Sequence, residues 1–228
     1  MSVAVSAYAS FITDAGDSGL LLPLAGVSLA LLWFSHSRRL AWLMLRSLLL
    51  ALGLIAILKL LFLSCAAHWQ PGLTSPSGHA CLSAAVYGML GTLLAAGRSP
   101  TVRVAIGIGL AFLVGLIAYS RMALGVHTGL EVLIGLCVGL LAQLWFAAAS
   151  ARLVLQPVDL RLFGLGLLAT VVVSFGLRLP AESLLRHMAR RVGETCTLPR
   201  FDAPGALLQA PAPLPALAQP RAQATGGA

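Results

Sequence analysis

The sequence predicts an all-α membrane protein, a polytopic bundle of about six transmembrane helices. Of its 228 residues, 59% are hydrophobic and 10% are charged, whereas soluble domains average about 45–50% apolar and about 25% charged residues. The apolar residues also form long runs separated by short polar turns, and about 20 such residues cross a bilayer as a helix. A soluble fold is disfavoured because the chain has too few polar residues to cover its surface.

Residues 1–18 are mildly apolar and end with Asp14 and Asp17. This pattern suits a short interfacial segment, and no chemistry is visible in it. The first predicted span, 19–34, is short and contains Pro23 near its start. No basic region precedes an apolar stretch, so a cleaved signal peptide is not expected.

The second predicted span, residues 41–63, carries Arg46 and Lys59 about a turn from its two ends, where long side chains can reach the interface. The linker 64–77 contains prolines and a glycine, so it cannot continue the helix. Short turns then separate the remaining predicted spans, which cover residues 79–96, 102–119, 127–149 and 161–179.

Residues 19–179 are therefore predicted as one membrane domain, and Pro180 ends its last span. The following segment, 180–197, alternates apolar and basic residues and fits a helix lying in the membrane surface. The tail, 198–228, is rich in Ala and Pro and is predicted to be disordered.

Four groups of reactive or charged residues stand at the ends of the apolar runs. In chain order they are Lys59, Ser75-Pro76-Ser77-Gly78-His79, Ser120-Arg121, and His127 with Glu131. Because consecutive spans alternate in direction, all four groups emerge on the same side of the membrane. The sequence therefore predicts one polar site on that face.

The opposite face is predicted to be cytoplasmic, because an excess of arginine in short loops marks that side. The arginines concerned are Arg38, Arg39, Arg46, Arg98, Arg103, Arg152 and Arg161. Four further arginines on the site's own face argue against this orientation: Arg178, Arg186, Arg190 and Arg191. The prediction is a bacterial inner-membrane protein whose site faces the periplasm or exterior.

The formal net charge of +8 comes from arginines scattered at the ends of apolar runs. This distribution is typical of topology determinants and lipid-headgroup contacts, and it disfavours a nucleic-acid surface. The partners expected are therefore membrane lipids.

His127 and Glu131 are four residues apart at the predicted start of a helix, which places both side chains on one face. A carboxylate there holds an imidazole in one tautomer and leaves the other ring nitrogen free as nucleophile or base. Such residues are costly in a membrane segment unless paired. A structural pair that joins two helices is the alternative interpretation.

Gly78 permits close backbone approach, and the helix that follows opens with unsatisfied N–H groups that favour an anion. Lys59 and Arg121 add two positive charges on the same face, and Arg can grip phosphate oxygens as a fork. Together with the two histidines, these features predict a phosphate pocket. A metal site built from His79, His127 and Glu131 is disfavoured because both cations would repel a divalent ion. No metal and no cofactor are expected.

The four cysteines show no metal-ligand spacing; they are Cys65, Cys81, Cys137 and Cys196. Cys137 lies inside an apolar run and is expected to be a small buried residue. A disulfide that joins Cys65 to Cys81 or to Cys196 stays open.

The order of the polar groups resembles the three-part signature of the type 2 phosphatidic acid phosphatase superfamily. The three parts are Lys59, then Ser75-Pro76-Ser77-Gly78-His79, then Ser120-Arg121 with His127 and Glu131. The resemblance covers about residues 20–180. Membrane members of this superfamily have six spans, and its soluble relatives include bacterial acid phosphatases and vanadium haloperoxidases.

Two positions depart from that signature. The first part usually ends in Arg-Pro, but this chain has Ala66 and Ala67, so one expected phosphate-binding arginine is missing. His68 or Arg178 are candidates for a substitute cation. The third part usually ends in Asp, and Glu131 carries the same carboxylate on one more methylene.

The resemblance implies that His127 attacks phosphorus to give a phosphohistidine and that Glu131 orients it. His79 would protonate the leaving alcohol and then activate water. The implied phosphate-binding groups, which act without a metal, are Lys59, Ser77, the Gly78 N–H, Ser120 and Arg121.

The predicted function is hydrolysis of a lipid phosphate, such as phosphatidic acid, phosphatidylglycerol phosphate, polyprenyl pyrophosphate or a lipid A phosphate. A phosphotransferase that passes the phosphoryl group to a second lipid would use the same residues and stays open. A catalytically weak binding member is the other alternative, because of Ala66 and Ala67. A haloperoxidase is disfavoured since those relatives are soluble.

Overall fold

The computed structural model describes residues 3–65, 75–153 and 159–177, and these residues form a bundle of helices. The helices are α1 (Val3–Asp14), α2 (Ser18–Leu31), α3 (Arg38–Cys65), α4 (Gly78–Ala95), α5 (Pro100–Ala123), α6 (Gly129–Ser150) and α7 (Leu160–Ser174). A short π-helical turn, Leu32–His36, follows α2. The prediction of an all-α fold is confirmed, since the described residues contain no strand.

Five helical stretches in the described ranges are long and apolar enough to cross a membrane: Ala7–Phe34, Arg38–Leu63, Gly78–Ala95, Pro100–Ala123 and Gly129–Ser150. The sixth predicted span, 161–179, corresponds to α7, which has 15 residues. That is short of the roughly 20 residues needed, and the described part of this span ends at residue 177. The five longer stretches make the chain a multi-pass membrane protein.

Two of the helix ends that differ from the predicted spans bear on the site. Helix α5 continues to Ala123, so Ser120 and Arg121 lie in its last two turns rather than in a break after it. Helix α6 begins at Gly129, so His127 lies in the loop before it rather than in its first turn. The reason is a capping box, in which Thr128 is the N-cap residue and the helix can start only after it.

The N-terminal residues form a helix and a tight connection, which we call the elbow, residues 15–17. Asp17 caps α2, with its Oδ1 accepting from the Gly19 N–H at 2.7 Å. The Tyr87 hydroxyl of α4 donates to the carbonyl oxygen of Ala15 at 2.7 Å. Helix α1 packs against α5, and these contacts fix the elbow beside the end of the bundle where α4 begins.

Helix α4 is the most buried long helix, and its most extensive contact is with α6. Two glycines of α6, Gly135 and Gly139, allow this approach: a Cβ added at either would clash with a carbonyl oxygen of α4, that of Ser77 or that of Cys81 respectively. Close contact through small residues spaced by four is typical of helices in membranes. It sets the first turn of α4 directly against the first turns of α6.

The structure bears on two of the four cysteines. Cys81 is buried and free, with its Sγ 4.0 Å from the Ala51 carbonyl oxygen, so the Cys65–Cys81 disulfide that the sequence left open is not formed. Cys137 is exposed rather than buried. Because Gly135 and Gly139 face α4, the residue midway between them points to the opposite side of α6.

Several predictions fall on residues outside the described ranges. They concern Ala66, Ala67, His68, Arg178, Cys196, the amphipathic segment 180–197 and the tail 198–228. These stay predictions.

Candidate active site

The polar groups singled out in the sequence meet at one end of the bundle. The C-terminal ends of α3 and α5 and the N-terminal ends of α4 and α6 lie at this end, as the alternation of helices requires. The residues that the structure brings there are Lys59, Ser75, Ser77, Gly78, His79, Ser120, Arg121, His127 and Glu131.

The carboxylate of Glu131 connects three parts of this site. Its Oε1 accepts from the Ser75 N–H at 2.9 Å. Its Oε2 accepts from the Thr128 N–H at 3.0 Å and lies 3.1 Å from His127 Nδ1. Glu131 is only 1% exposed. One buried carboxylate therefore fixes the loop before α4, the cap of α6 and the histidine ring.

His127 is held in one tautomer by this contact. With Glu131 ionised, Nδ1 carries the proton that it donates to the carboxylate, so Nε2 keeps its lone pair. Burial lowers the pKa of His127 below its ordinary 6.5; Arg121 and Lys59 reinforce this shift and Glu131 opposes it. The imidazole is thus neutral near pH 7, which is the form that a nucleophile or a base requires.

Lys59 places a positive charge at the start of α4. Its side chain is buried, and its Nζ lies 3.5 Å from the Ser75 Oγ. The alkyl part passes close to Gly78, because a Cβ added there would lie 3.3 Å from the Lys59 Cε. A side chain at residue 78 would therefore crowd Lys59, and the ammonium group is next to a helix N-terminus, which itself favours anions.

Ser77 and Ser120 are both buried and both hydrogen-bonded locally. Ser77 is the N-cap of α4, and its Oγ accepts from the Ala80 N–H at 3.4 Å. Its backbone N–H donates to the carbonyl oxygen of Glu131 at 2.9 Å. The Ser120 hydroxyl donates to the Ile117 carbonyl oxygen at 2.7 Å within α5. The phosphate-binding roles of both serines stay predictions.

Two residues of the N-terminal region reach the site, although the sequence showed no chemistry there. Arg121 Nη1 donates to the Thr13 Oγ1 at 3.1 Å. His79 Nε2 lies 3.3 Å from Asp17 Oδ2. A signal was available in the scarcity of acids, because the whole chain has only seven Asp and Glu residues. An acidic residue next to the first predicted span is therefore unusual in this chain and could have been read as a candidate site residue.

The geometry also bears on the alternative metal site. Among the described residues, no group of three His, Cys, Asp or Glu side chains lies close enough together to hold a metal ion. His79 is paired with Asp17, and His127 is paired with Glu131. The three ligands of the alternative site are thus divided between two separate pairs.

The fold and the site define a class: a multi-pass helical membrane protein with a histidine–carboxylate pair beside buried cations at the helix ends. The family model of the PAP2 superfamily matches residues 40–154, a stretch that contains every site residue predicted from the sequence. The chain belongs to the PAP2 superfamily, a family of phosphatases and similar phosphotransferases. The resemblance seen in the sequence is thereby confirmed.

One curated relative supports this membership. A Klebsiella pneumoniae protein with the name "Uncharacterized 22.5 kDa protein in cps region" is 31% identical over 191 residues, covering 78% of this chain and 88% of that protein. No solved structure matches the chain significantly. Thr13 and Asp17 lie outside the stretch that the family model matches.

Proposed function

We propose that the protein is a lipid phosphatase that hydrolyses the phosphomonoester or pyrophosphate of a membrane lipid through a phosphohistidine on His127. The observation that carries this proposal is the His127–Glu131 pair, with Nδ1 and Oε2 3.1 Å apart. It leaves Nε2 as a neutral nucleophile beside two buried or partly buried cations. The lipid class follows from the setting, since a headgroup can enter a site at the end of a membrane bundle while its tails stay in the bilayer.

In the first step, the Nε2 lone pair of His127 attacks phosphorus and the bond from phosphorus to the leaving oxygen breaks. His79 gives its proton to that oxygen, so a neutral alcohol leaves. In the second step, water attacks phosphorus, His79 takes a proton from the water, and the P–N bond to His127 breaks. Inorganic phosphate is released and both histidines return to their starting forms.

Charge builds up on the phosphoryl oxygens in both steps, and positioned donors stabilise it. Lys59, the N-terminus of α4 and Arg121 supply positive charge at the same end of the bundle. Thr13 orients Arg121 through its hydroxyl. These groups give the site a cationic character without a bound metal, which supports a metal-independent reaction.

Asp17 acts as a positioning residue in this proposal. Its Oδ2 is 3.3 Å from His79 Nε2, and its other oxygen is fixed by the cap of α2. A carboxylate anchored in this way limits rotation of the imidazole. The ring that must serve as acid and then as base is held in one orientation throughout.

The test is to trap the intermediate. Purified protein is mixed with phosphatidic acid that carries a radiolabelled phosphate, in the presence of EDTA, and quenched in alkali, in which a phosphohistidine survives. We expect label on the wild-type protein and none on His127→Ala, together with release of inorganic phosphate by the wild type alone. Full phosphate release by His127→Ala, with thermal unfolding unchanged, would contradict the proposal.

A second part of this experiment distinguishes hydrolysis from transfer of the phosphoryl group to another lipid. An unlabelled acceptor lipid is added to the same reaction, and the lipids are then separated. Hydrolysis places the label in inorganic phosphate. Label in the acceptor lipid would identify a phosphotransferase that uses the same intermediate.

A further inference from the structure

A cavity of about 1010 Å³ lies between α4, α5 and α6, toward the end of the bundle opposite the candidate active site. It begins about a third of the way along the helices from the candidate active site and continues to the α4–α5 connection and the end of α6. The residues that line it include Ala84, Gly115 and Leu136 at the inner end and Gly97, Arg103 and Ser150 at the outer end.

The cavity exists because α5 packs mainly against α4 and makes little contact with α6. The buried residues of α5 are Ile117, Ala118 and Ser120, whereas Val104 and Ile108 nearer its start are 60% and 65% exposed. The N-terminal half of α5 therefore stands away from α6 and leaves a space open to the side.

The wall that α5 contributes contains a row of small residues beside larger apolar ones such as Leu110 and Val114. Gly107, Ala111 and Gly115 all line the cavity and are spaced by four, so they form one face of the helix. A Cβ added at Gly107 or Gly115 would have no atom within 4 Å. The space in front of these glycines is empty volume rather than a packed contact.

The chemistry of the lining changes along the cavity. Most of it is apolar, and inside it Gln143 donates to the Thr92 hydroxyl at 3.4 Å. Arg103 carries the only charge among the described residues that line the cavity. Arg98 and Arg152 lie at the same end of the bundle, in the α4–α5 connection and just after α6. The cavity is thus apolar within and cationic at its mouth.

We propose that this cavity binds one molecule of an anionic membrane phospholipid, with its phosphate at Arg103 and one acyl chain along Gly107, Ala111 and Gly115. Positive charge at the mouth complements the phosphate, as juxtamembrane arginines do for anionic lipids. The proposal is independent of the candidate active site, which lies at the other end of the helices.

The dimensions fit one leaflet of a bilayer. Arg103 and Gly115 are twelve residues apart on α5, which is about 18 Å at about 1.5 Å per residue. Half of a hydrocarbon core is about 15 Å thick. A phosphate at Arg103 would therefore lie at the headgroup level, with the acyl chain ending near the bilayer midplane.

The volume disfavours a helix from a second copy as the occupant. A helix about 11 Å in diameter that followed α5 for the same 18 Å would occupy roughly 1,700 Å³. The cavity, of about 1010 Å³, is at the upper end of the about 300–1,000 Å³ that small-molecule sites have. A flexible chain fits this space without movement of α5.

Native mass spectrometry of the full-length protein tests the proposal. The protein is exchanged into detergent with equal amounts of phosphatidylglycerol and phosphatidylcholine of the same chain length, and retained lipids are counted. We expect one retained phosphatidylglycerol. Arg103→Gln should reduce the preference for phosphatidylglycerol on the order of tenfold, because a charge-assisted hydrogen bond to phosphate is lost. Arg46→Gln, an exposed arginine of α3, is the matched control and should keep the preference.

A second pair of variants tests the cavity itself. Gly107→Leu with Gly115→Leu fills it and should abolish lipid retention. Gly109→Leu adds the same side chain on α5, at an exposed position outside the lining, and should leave retention unchanged. Thermal unfolding identifies variants that do not fold, and Ala111→Phe then replaces the double variant.

Three outcomes would overturn the proposal. The first is equal retention of the two lipids by the wild type, and the second is full retention by a folded cavity-filling variant. The third is a dimer of the wild-type protein that the Gly107→Leu, Gly115→Leu variant converts to a monomer without a change in retained lipid. That result would mean that a second copy covers this face.

Discussion

At the scale of single residues, the two oxygens of Asp17 make two contacts that substitution can separate. One oxygen caps α2 through the Gly19 N–H, and the other lies 3.3 Å from His79 Nε2. Asp17→Ser keeps a good N-cap but is too short to reach His79. We expect it to lower turnover of a lipid phosphate on the order of tenfold and to spare p-nitrophenyl phosphate, since only a poor leaving group needs an acid. Phosphate release from both substrates measures this.

Asp159 provides the matched control for this variant. It is the N-cap of α7, and its Oδ1 accepts from the Arg161 and Leu162 N–H groups, so Asp159→Ser makes the same change away from the site. We expect no effect on either substrate. Equal losses on both substrates in Asp17→Ser would mean that Asp17 supports the fold and not His79.

The pKa of His127 predicts a pH dependence. Burial, reinforced by Arg121 and Lys59, lowers this pKa below 6.5. A lowered pKa keeps the neutral nucleophile present as the pH falls, so the midpoint of the acid limb of kcat/KM for p-nitrophenyl phosphate should lie below pH 6.5. The substrate's own titration is measured separately and subtracted. An acid limb centred above pH 6.5 would contradict the assignment of His127 as nucleophile.

Glu131→Gln tests the direction in which Glu131 shifts the pKa of His127. The Glu131 carboxylate raises the pKa of His127, so removing its charge should move the acid limb to still lower pH. The plateau rate should fall by up to about ten-thousandfold, as when the triad carboxylate is replaced by an amide, because an amide can also hold the imidazole in the wrong tautomer. A limb that moves to higher pH would show that a different group is titrating.

The residues of the site differ in how far the sequence could predict them. Glu131 was expected beside His127, and the pattern Thr-x-x-Glu from Thr128 also carries the signal of a capping box. That signal would have placed the start of α6 after His127. Asp17 was missed because its contact with His79 depends on the elbow and on how α1 packs, and neither is encoded locally.

At the scale of helices, the contact of α4 with α6 is so close that it does not accommodate larger side chains. A Cβ at Gly139 would clash with the Cys81 carbonyl oxygen and crowd the Ala84 Cβ, which it would approach to 2.8 Å. We expect Gly139→Ala to destabilise the protein by about 1–3 kcal/mol, as overpacking of cores does. It should also lower activity on every substrate equally, because α4 carries His79 and begins directly after its N-cap, Ser77. Thermal unfolding in detergent and phosphate release measure the two effects.

Gly53→Ala on α3 is the control, since a Cβ there would meet no atom within 4 Å. It should leave unfolding unchanged or shift it slightly upward, because Ala favours helix over Gly. An unfolding temperature of Gly139→Ala equal to that of the wild type would show that α4 and α6 are not in close contact.

Helix existence was predictable from the apolar runs, but the C-terminal end of α5 was not. Ser120 and Arg121 were read as a break because polar residues usually mark one. In the structure they extend α5 by about a turn, since Arg121 finds a partner in Thr13 and Ser120 bonds to its own helix. Tertiary contacts from a distant segment decided where this helix stops.

At the scale of the whole molecule, the orientation in the membrane follows from labelling the two ends of α5. Val126 is exposed and next to His127, and Ser99 is exposed just before α5. In a variant without its four cysteines, Val126→Cys should react with an impermeant thiol reagent in intact cells and Ser99→Cys only after lysis. This is the outcome that the arginines of the short loops predict.

The reverse labelling pattern would place the site in the cytoplasm. The topological signal would then be the group of arginines beyond the last predicted span: Arg178, Arg186, Arg190 and Arg191. The sequence predicts the membrane fold from composition and run length alone. Composition and run length do not decide which of the two groups of arginines sets the orientation. The effect of each arginine depends on its distance from the membrane boundary.

The triple contact of Glu131 restricts which acidic residue this position accepts. Ser75, Thr128 and His127 are all within 3.1 Å of its two oxygens, and the longer arm of glutamate is what reaches all of them from the first turn of α6. The related signature usually has aspartate here. In this chain Glu131→Asp would shorten that arm by one methylene, so we expect aspartate to lose at least one of the three contacts and to lower activity. Neither the Ser75 N–H nor the Thr128 N–H can follow a shorter side chain without moving the backbone of its loop, so the length of this one side chain sets the spacing between the start of α4 and the start of α6.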